Sequence, residues 1–318
     1  MDTAILRANN LHTHFPTSKG PNKVVNGVSF SLQRESTLGL VGESGSGKTI
    51  TALSLLRLLP YPGKVVEGEV YFDGMNLLEM EDEALRQIRG KRIAMVFQDP
   101  SASLNPMIPI GPQVEEIITN DLSLTKEEAE RWVLSALTQV HLPNPVEIVT
   151  RYPFQLSRGM CQRVMLAMAM ALSPQVLIAD EPTSALDVTL QAVLLDEIQK
   201  LKEECHSSVI LITHDLGVIA HMADDVAVMY AGSIVEQADT VSLFQRPSHP
   251  YTWALFQALP RWDRPTKNLF KIRGLPPDLL NLPDQCAFVP RCHKARNECR
   301  ESPRPPLDEI APGHRVAC

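Results

Sequence analysis

The chain has little of what a membrane-spanning, secreted or nucleic-acid-binding protein needs. No apolar run approaches the roughly 18 residues of a membrane helix; the longest, 164–172, has about half that length. The first residues, Met1–Ala4, carry no basic segment followed by an apolar core, so we expect no secretory signal. Positive charge is not in excess either, and a net charge of −7 argues against broad nucleic-acid binding. We therefore expect a cytosolic protein.

The chain of 318 residues is long enough for one α/β domain and a smaller module. Its composition changes after residue 260. Residues 261–318 contain 9 prolines, with 11 basic and 7 acidic residues. Such a shift predicts a domain over 1–260 and a loop-rich module over 261–318. We find no internal repeat.

Near-continuous apolar runs predict a parallel sheet that is covered on both faces. These runs lie at 36–41, 92–97, 176–179, 208–213 and 226–229. Between about 99 and 174 the pattern becomes helical, over 126–140 and 158–172, with a break at Leu142-Pro143-Asn144-Pro145. A further helix is expected over 191–204. The predicted fold is therefore α/β, with a parallel-sheet core and a helical insertion.

A glycine-rich segment follows the first apolar run and precedes a predicted helix over 50–59. It reads Gly42, Glu43, Ser44, Gly45, Ser46, Gly47, Lys48, Thr49. Glycines let backbone N–H groups converge on phosphate oxygens, and the positive end of the following helix favours the same anion. Lys48 can reach the β and γ phosphates, and the Thr49 hydroxyl can bind Mg²⁺. An ordinary glycine-rich turn is the alternative, which the flanking strand and helix disfavour.

Polar side chains follow three of the other apolar runs. Asp180 can hold Mg²⁺ through its water shell, and Glu181 can act as the general base for an attacking water. Either could instead simply end a strand. His214 can hydrogen-bond a γ-phosphate, although a surface residue at a strand end is the simpler interpretation. The Gln98 amide can also bind Mg²⁺.

Ser157 stands at the start of the predicted helix over 158–172. A serine there is first of all an N-cap. With Gly159 nearby, the same helix end could also receive a phosphate presented by another chain.

Together, these motifs resemble the nucleotide-binding subunit of an ABC transporter. The matching segments are Gly42–Thr49, Gln98, Leu156–Met160, Ile178–Glu181, Ser184–Asp187 and His214. The resemblance implies a P-loop NTPase that hydrolyses ATP with Mg²⁺ in a head-to-tail heterodimer with a second ATP-binding subunit. It implies that Ser157, Arg158 and Gly159 contact the nucleotide of that partner. By the same resemblance, Asp187 belongs to the D-loop and Phe15 stacks on adenine.

One residue departs from the family signature, which reads Leu-Ser-Gly-Gly. Arg158 replaces the first glycine. It could obstruct the partner's site or pair with its phosphate, and we expect an asymmetric pair of sites. Helix propensity is the simpler explanation, because Arg is favoured over Gly by roughly 0.8 kcal/mol.

The C-terminal part is similar to the oligopeptide/dipeptide importer branch of that family. His249-Pro250-Tyr251-Thr252, Gly274-Leu275-Pro276-Pro277 and the cysteines carry this likeness, and Met160 resembles the D-type subunit. The resemblance implies peptide import at the cytoplasmic face of the membrane, with two permease subunits and, indirectly, a solute-binding protein. Nickel, glutathione or oligosaccharide import are alternatives. A soluble ABC ATPase acting on nucleic acid or ribosomes is less favoured.

Four cysteines, Cys286, Cys292, Cys299 and Cys318, crowd the C-terminal module. Four thiolates can bind a [4Fe–4S] cluster or Zn²⁺. The branch resemblance favours the cluster, while the lack of a Cys-x-x-Cys pair disfavours zinc; free thiols are the third possibility. Arg291, Lys294, Arg296 and Arg300 could offset the thiolate charge or merely solvate a surface. A redox protein that uses this cluster is an alternative from another class.

Overall fold

The structure is a computed structural model, and the ranges that it describes are 4–119, 124–184, 186, 188–258, 270–280 and 282–318. The chain divides into two compact units. The first combines residues 1–80 with 211–318, and the second comprises 81–210.

Strands and helices both occur in each unit. The strands are β1 (Ala4–Thr17), β2 (Gly20–Gln33), β3 (Thr37–Val41), β4 (Lys64–Phe72), β5 (Met75–Asn76), β6 (Ile93–Val96), β7 (Val176–Asp180), β8 (Ser208–Thr213), β9 (Asp225–Tyr230), β10 (Ser233–Asp239), β11 (Asp308–Ala311) and β12 (His314–Val316). The α-helices are α1 (Lys48–Leu55), α2 (Asp82–Arg86), α3 (Pro100–Ser103), α4 (Ile110–Thr119), α5 (Lys126–Gln139), α6 (Pro145–Ile148), α7 (Arg158–Met170), α8 (Val188–Glu204), α9 (Leu216–Met222), α10 (Thr240–Gln245), α11 (Pro250–Gln257) and α12 (Glu298–Glu301).

The first unit contains an antiparallel sheet that the sequence did not reveal. Its strand order is β2-β1-β4-β5. The register shifts between Ala8 and Leu11, where Asn10 adopts a positive φ of 45°. Such bulges break the alternation of apolar and polar residues by which a half-buried strand is recognised. Leu6, Leu11 and Phe72 are nevertheless fully buried in this sheet.

The remaining strands of the first unit build a mixed sheet region. Strand β3 pairs in parallel with β9, β9 pairs antiparallel with β10, and β10 pairs antiparallel with β12. All five residues of β3 are buried, as expected for a strand with both faces covered. The chain's last strand, β12, pairs with β11 as well, so the C-terminal residues contribute strands to this unit.

The second unit pairs β6 and β7 in parallel and contains the helices α2–α8. Helix α5 begins with a capping box, because the Thr125 hydroxyl accepts from the Glu128 N–H and the Glu128 carboxylate accepts from the Thr125 N–H at 2.8 Å. The Thr125 hydroxyl also donates to the Glu128 carboxylate, and this bond together with the one from the Thr125 N–H lowers the pKa of Glu128. The buried side chains of Val114, Val133 and Val164 line the inner faces of three helices.

The predicted parallel strands are confirmed to within two residues. The predicted helix over 50–59 instead spans Lys48–Leu55, because Arg57 adopts a positive φ of 52° that ends the helix. The domain limits 1–260 and 261–318, with the insertion at about 99–174, stay predictions, since residues 259–269 lie outside the described ranges. Within those ranges no helix combines the length and the apolar character needed to cross a bilayer.

Candidate functional site

In the loop between β3 and α1, only glycine fits at two positions, 42 and 47. A Cβ on Gly42 would lie 2.2 Å from the carbonyl oxygen of Met229, and one on Gly47 would lie 2.5 Å from that of Val24. Gly47 also adopts a φ of +102°, in the left-handed region. The loop is therefore packed against its own unit and leaves no room there for side chains.

The polar groups of this loop fit a bound triphosphate. Lys48 is 5% exposed, and its Nζ donates to the carbonyl oxygens of Gly42 and Glu43 at 2.8 and 3.0 Å. Gly47 caps α1 without a side-chain hydrogen bond, so the first helical N–H groups face the loop. Among the residues that the structure describes, none is a hydrogen-bond partner of the buried Ser46 hydroxyl. An anion held by these donors would satisfy them.

In the second unit, two of the predicted site residues, Gln98 and Glu181, form a direct hydrogen bond. Asp180, the last residue of β7, is 1% exposed, and Glu181 follows it with an unusual φ of +45°. The Gln98 side-chain amide donates from Nε2 to Glu181 Oε2 at 2.8 Å. This bond fixes the Glu181 carboxylate and leaves the Gln98 carbonyl oxygen as the atom that could bind a cation.

His214 belongs to the first unit, directly after β8. The residue is exposed, and the next residue, Asp215, caps helix α9 by accepting from the Gly217 N–H at 2.8 Å. The cap fixes the backbone beside His214. Lys48 and His214 thus lie in one unit, whereas Gln98, Asp180 and Glu181 lie in the other.

Ser157 is confirmed as the N-cap of α7. Its hydroxyl accepts from the Met160 N–H at 3.3 Å. Ser157 and Arg158 are exposed, whereas a Cβ on Gly159 would lie 3.1 Å from the Leu186 side chain. The exposed helix end is compatible with a role toward another chain, which stays a prediction.

Two further predicted residues have different outcomes. Phe15 lies in β1, half-buried, and its ring packs against Gly63, where a Cβ would come within 2.6 Å of it. Stacking of Phe15 on adenine stays a prediction. Asp187 lies outside the described residues.

Tyr251 and Arg291 contact the nucleotide loop, although no sequence motif places them there. The Tyr251 hydroxyl accepts from the Glu43 N–H at 2.8 Å. Arg291 donates to both oxygens of the Glu43 carboxylate, at 2.7 and 3.0 Å. Arg291 is therefore a buried partner of Glu43 and does not solvate a surface. No local pattern could have revealed this pair, because its members lie 248 positions apart.

Two family models match the chain. Residues 25–184 match the model "ABC transporter", and residues 235–299 match "Oligopeptide/dipeptide transporter, C-terminal region". The first covers half of the chain. This chain is a member of the ABC transporter family.

Relatives and solved structures agree with that membership. The chain is 46% identical to the "Probable peptide ABC transporter ATP-binding protein y4tR" of Sinorhizobium fredii, over 99% of this chain and 94% of the relative. It is 43% identical to the dipeptide transport ATP-binding protein DppD of Bacillus subtilis, over 98% and 91%, and 42% identical to the oligopeptide transport ATP-binding protein OppD of Escherichia coli, over 99% and 93%. The dimeric ATP-binding cassette MJ0796 bound to ADP and phosphate matches with a TM-score of 0.67 and 26% identity, over 74% of this chain and 98% of that structure.

These matches confirm several predictions. The fold is that of an ABC-type P-loop ATPase, and this ABC protein is an ATP-hydrolysing enzyme that uses ATP with Mg²⁺. The predicted likeness to the ATP-binding subunits of the oligopeptide/dipeptide branch is confirmed as well.

The prediction of a [4Fe–4S] cluster is wrong, and the zinc alternative has no support. Cys286, Cys292, Cys299 and Cys318 line one cavity of about 490 Å³. Yet in the part of the chain that the structure describes, no three His, Cys, Asp or Glu side chains are arranged to hold a metal ion. The matched family and relative are named as an ABC transporter and a transport ATP-binding protein, and neither name includes a cluster. Burial raises the pKa of Cys286 and Cys318. Spacing along the chain could not show this, because it does not fix how sulfur atoms converge.

Proposed function

We propose that this ABC protein is the ATP-hydrolysing subunit that powers import of di- or oligopeptides through a membrane permease. The observation that carries the proposal is the pairing, in one chain, of a phosphate-binding loop with a C-terminal region matched to oligopeptide/dipeptide transporters. The similarity to peptide-transport ATP-binding proteins extends over 98–99% of the chain, which supports the same substrate class.

In this proposal the loop residues Gly42–Thr49 hold the nucleotide phosphates, with Lys48 moving its ammonium from the loop carbonyls to the β and γ phosphates. Thr49, Asp180 and Gln98 would hold Mg²⁺, which when bound offsets charge on the phosphate oxygens. The burial of Asp180 and the orientation of the Gln98 amide, whose Nε2 donates to Glu181, support this assignment.

Glu181 acts as the general base in this proposal. The hydrogen bond from Gln98 orients the carboxylate that would accept a proton from water. His214 would donate or accept a hydrogen bond at the γ-phosphate, and its exposure at a strand end supports access to a ligand.

Assembly completes the site in this proposal. A second ATP-binding subunit would pair head to tail, so that Ser157, Arg158 and Gly159 contact the partner's nucleotide. The exposure of Ser157 and Arg158 and the likeness to a dimeric cassette support this arrangement. Arg158 in place of glycine would make the two sites unequal, with the site built on Lys48 and Glu181 the faster one.

Two permease subunits at the cytoplasmic face of the membrane would receive the motion of this ATPase, and a solute-binding protein would act indirectly. The segment 101–107, just after Gln98, is the proposed contact. Met107 is 81% exposed there, which supports a partner surface.

The test is import by the reconstituted complex in vesicles. Wild-type complex should couple ATP hydrolysis to uptake of di- or oligopeptides, and E181Q should reduce turnover by about 10²-fold or more while nucleotide binding persists. The matching Glu→Gln change in the partner should cost less. Equal losses would refute asymmetry, and uptake of nickel, glutathione or oligosaccharide in place of peptides would refute the substrate class.

A further inference from the structure

Glu43, inside the phosphate-binding loop, is held by the C-terminal part of the chain. Arg291 donates to Glu43 Oε2 at 2.7 Å and to Oε1 at 3.0 Å. The Arg291 side chain is only 5% exposed and that of Glu43 24%. Two parallel hydrogen bonds from a guanidinium to a carboxylate fix position as well as charge.

Arg291 is itself held on several sides. Its Nε donates to the Arg273 carbonyl oxygen at 3.0 Å and its Nη1 to the Tyr230 hydroxyl at 3.2 Å. The guanidinium carbon lies 5.7 Å from the centre of the Tyr230 ring and 6.0 Å from that of the buried Phe288. Burial alone lowers the pKa of Arg291, but the hydrogen bonds to Glu43 and Tyr230 raise it overall, so the guanidinium stays charged.

The Glu43 backbone is fixed by the same region. Its N–H donates to the hydroxyl of Tyr251, whose ring packs against Tyr230 and Phe288 with centroids 4.6 and 5.4 Å away. Both Tyr251 and Arg291 lie in residues 235–299, the part matched to the oligopeptide/dipeptide transporter C-terminal region. That region therefore forms hydrogen bonds with both the backbone and the side chain of Glu43.

The charge on Glu43 matters because the loop is to receive a polyanion. Lys48 Nζ already contacts the Glu43 carbonyl oxygen, so this residue lies at the phosphate-binding end of the loop. Without Arg291, a partly buried carboxylate would stand uncompensated beside the triphosphate. Like charges close to each other in partly buried surroundings oppose binding.

We propose that Arg291 is a positioning residue for nucleotide binding, through which the C-terminal segment (residues 282–318) sets the affinity of the loop for Mg·ATP. This inference rests on the proposed ATPase role of the same loop. Arg291 touches no nucleotide; it neutralises and orients Glu43, which lies in the loop.

The purified full chain allows a direct test with a fluorescent ATP analogue and Mg²⁺. R291M keeps much of the apolar stem and removes the charge, so the dissociation constant should rise roughly tenfold or more. R291K keeps the charge but loses the paired geometry, and its affinity should be intermediate. Adding E43Q to R291M removes the uncompensated carboxylate and should restore affinity to within about threefold of wild type.

Arg304 provides the matched control. This half-buried arginine donates to the Asn26 carbonyl oxygen at 3.0 Å and to the Ser233 hydroxyl at 2.6 Å, so it anchors the same C-terminal segment without contacting Glu43. R304M should lower the thermal midpoint much as R291M does, yet leave the nucleotide dissociation constant within about twofold of wild type.

The outcomes separate the possibilities. Equal weakening by R291M and R304M, or no recovery on adding E43Q, would mean that Arg291 acts only through general stability, and would overturn the inference. Should R291M fail to fold, R291K with wild-type affinity would overturn it equally. If wild-type chain fails to bind Mg·ATP, the proposed function itself fails and this inference with it.

Discussion

Replacing Gly47 by alanine tests the packing of the phosphate-binding loop. A Cβ at this position would lie 2.5 Å from the Val24 carbonyl oxygen, which belongs to backbone and cannot rotate away, and Gly47 adopts a φ of +102°. The substitution therefore adds both a steric overlap and a strained backbone conformation.

The two contributions add to each other. The conformational strain costs about 1–3 kcal/mol, and relief of the overlap costs about 1–3 kcal/mol more. Gly45 offers a matched control in the same loop, because it also has a positive φ, +79°, but nothing lies within 4 Å of its added Cβ. G45A should cost only about 1–2 kcal/mol.

Urea titrations followed by circular dichroism measure the two losses in the free energy of unfolding. G47A should be the more destabilised variant by at least about 1 kcal/mol. Equal losses for G47A and G45A would refute the reasoning that backbone contact with Val24 sets the requirement for glycine at position 47.

Three further predictions concern charge. Q98E replaces the amide that lies 2.8 Å from Glu181 Oε2 by a second carboxylate. Because two neighbouring carboxylates share one proton, the acid limb of the ATPase pH profile should move to higher pH. An unmoved profile would contradict the contact between the two side chains. Burial lowers the pKa of His249 to about 4, so below about pH 6.5 the unfolded chain binds a proton at this histidine and the folded chain does not. The free energy of unfolding should therefore fall by up to about 3 kcal/mol as the pH drops from 6.5 to 4. H249N keeps an acceptor for the Tyr251 N–H and should lose that part of the pH dependence, which unfolding midpoints at several pH values will measure. R158G lies at the exposed start of α7 and should change the free energy of unfolding by less than about 1 kcal/mol. The same substitution should raise the rate of ATP turnover by the assembled complex. A lower rate would mean that Arg158 pairs with phosphate.

The parallel strands and the phosphate-binding loop could be predicted because their signals are local. A strand buried on both faces reads as a continuous apolar run, as β3 and β8 do. The loop needs glycines at fixed positions, since at Gly42 and Gly47 neighbouring carbonyl oxygens exclude a Cβ. Each of these constraints acts within a few residues.

Other features depend on contacts that sequence spacing does not encode. The antiparallel sheet of the first unit was missed because bulges near Asn10 interrupt its alternation. The cysteine prediction failed because intervals along the chain do not determine how thiols converge. The Arg291–Glu43 pair joins residues that are 248 positions apart, so only the folded unit that contains both shows the contact.

Calorimetric titration of the purified full chain with Mg·ATP tests the central claim most directly. The account predicts saturable binding of one nucleotide per chain, weakened more than about tenfold in K48A, because Lys48 supplies the ammonium of the loop. Absence of binding to wild-type protein, or equal binding by K48A, would contradict the assignment of this loop as the nucleotide site.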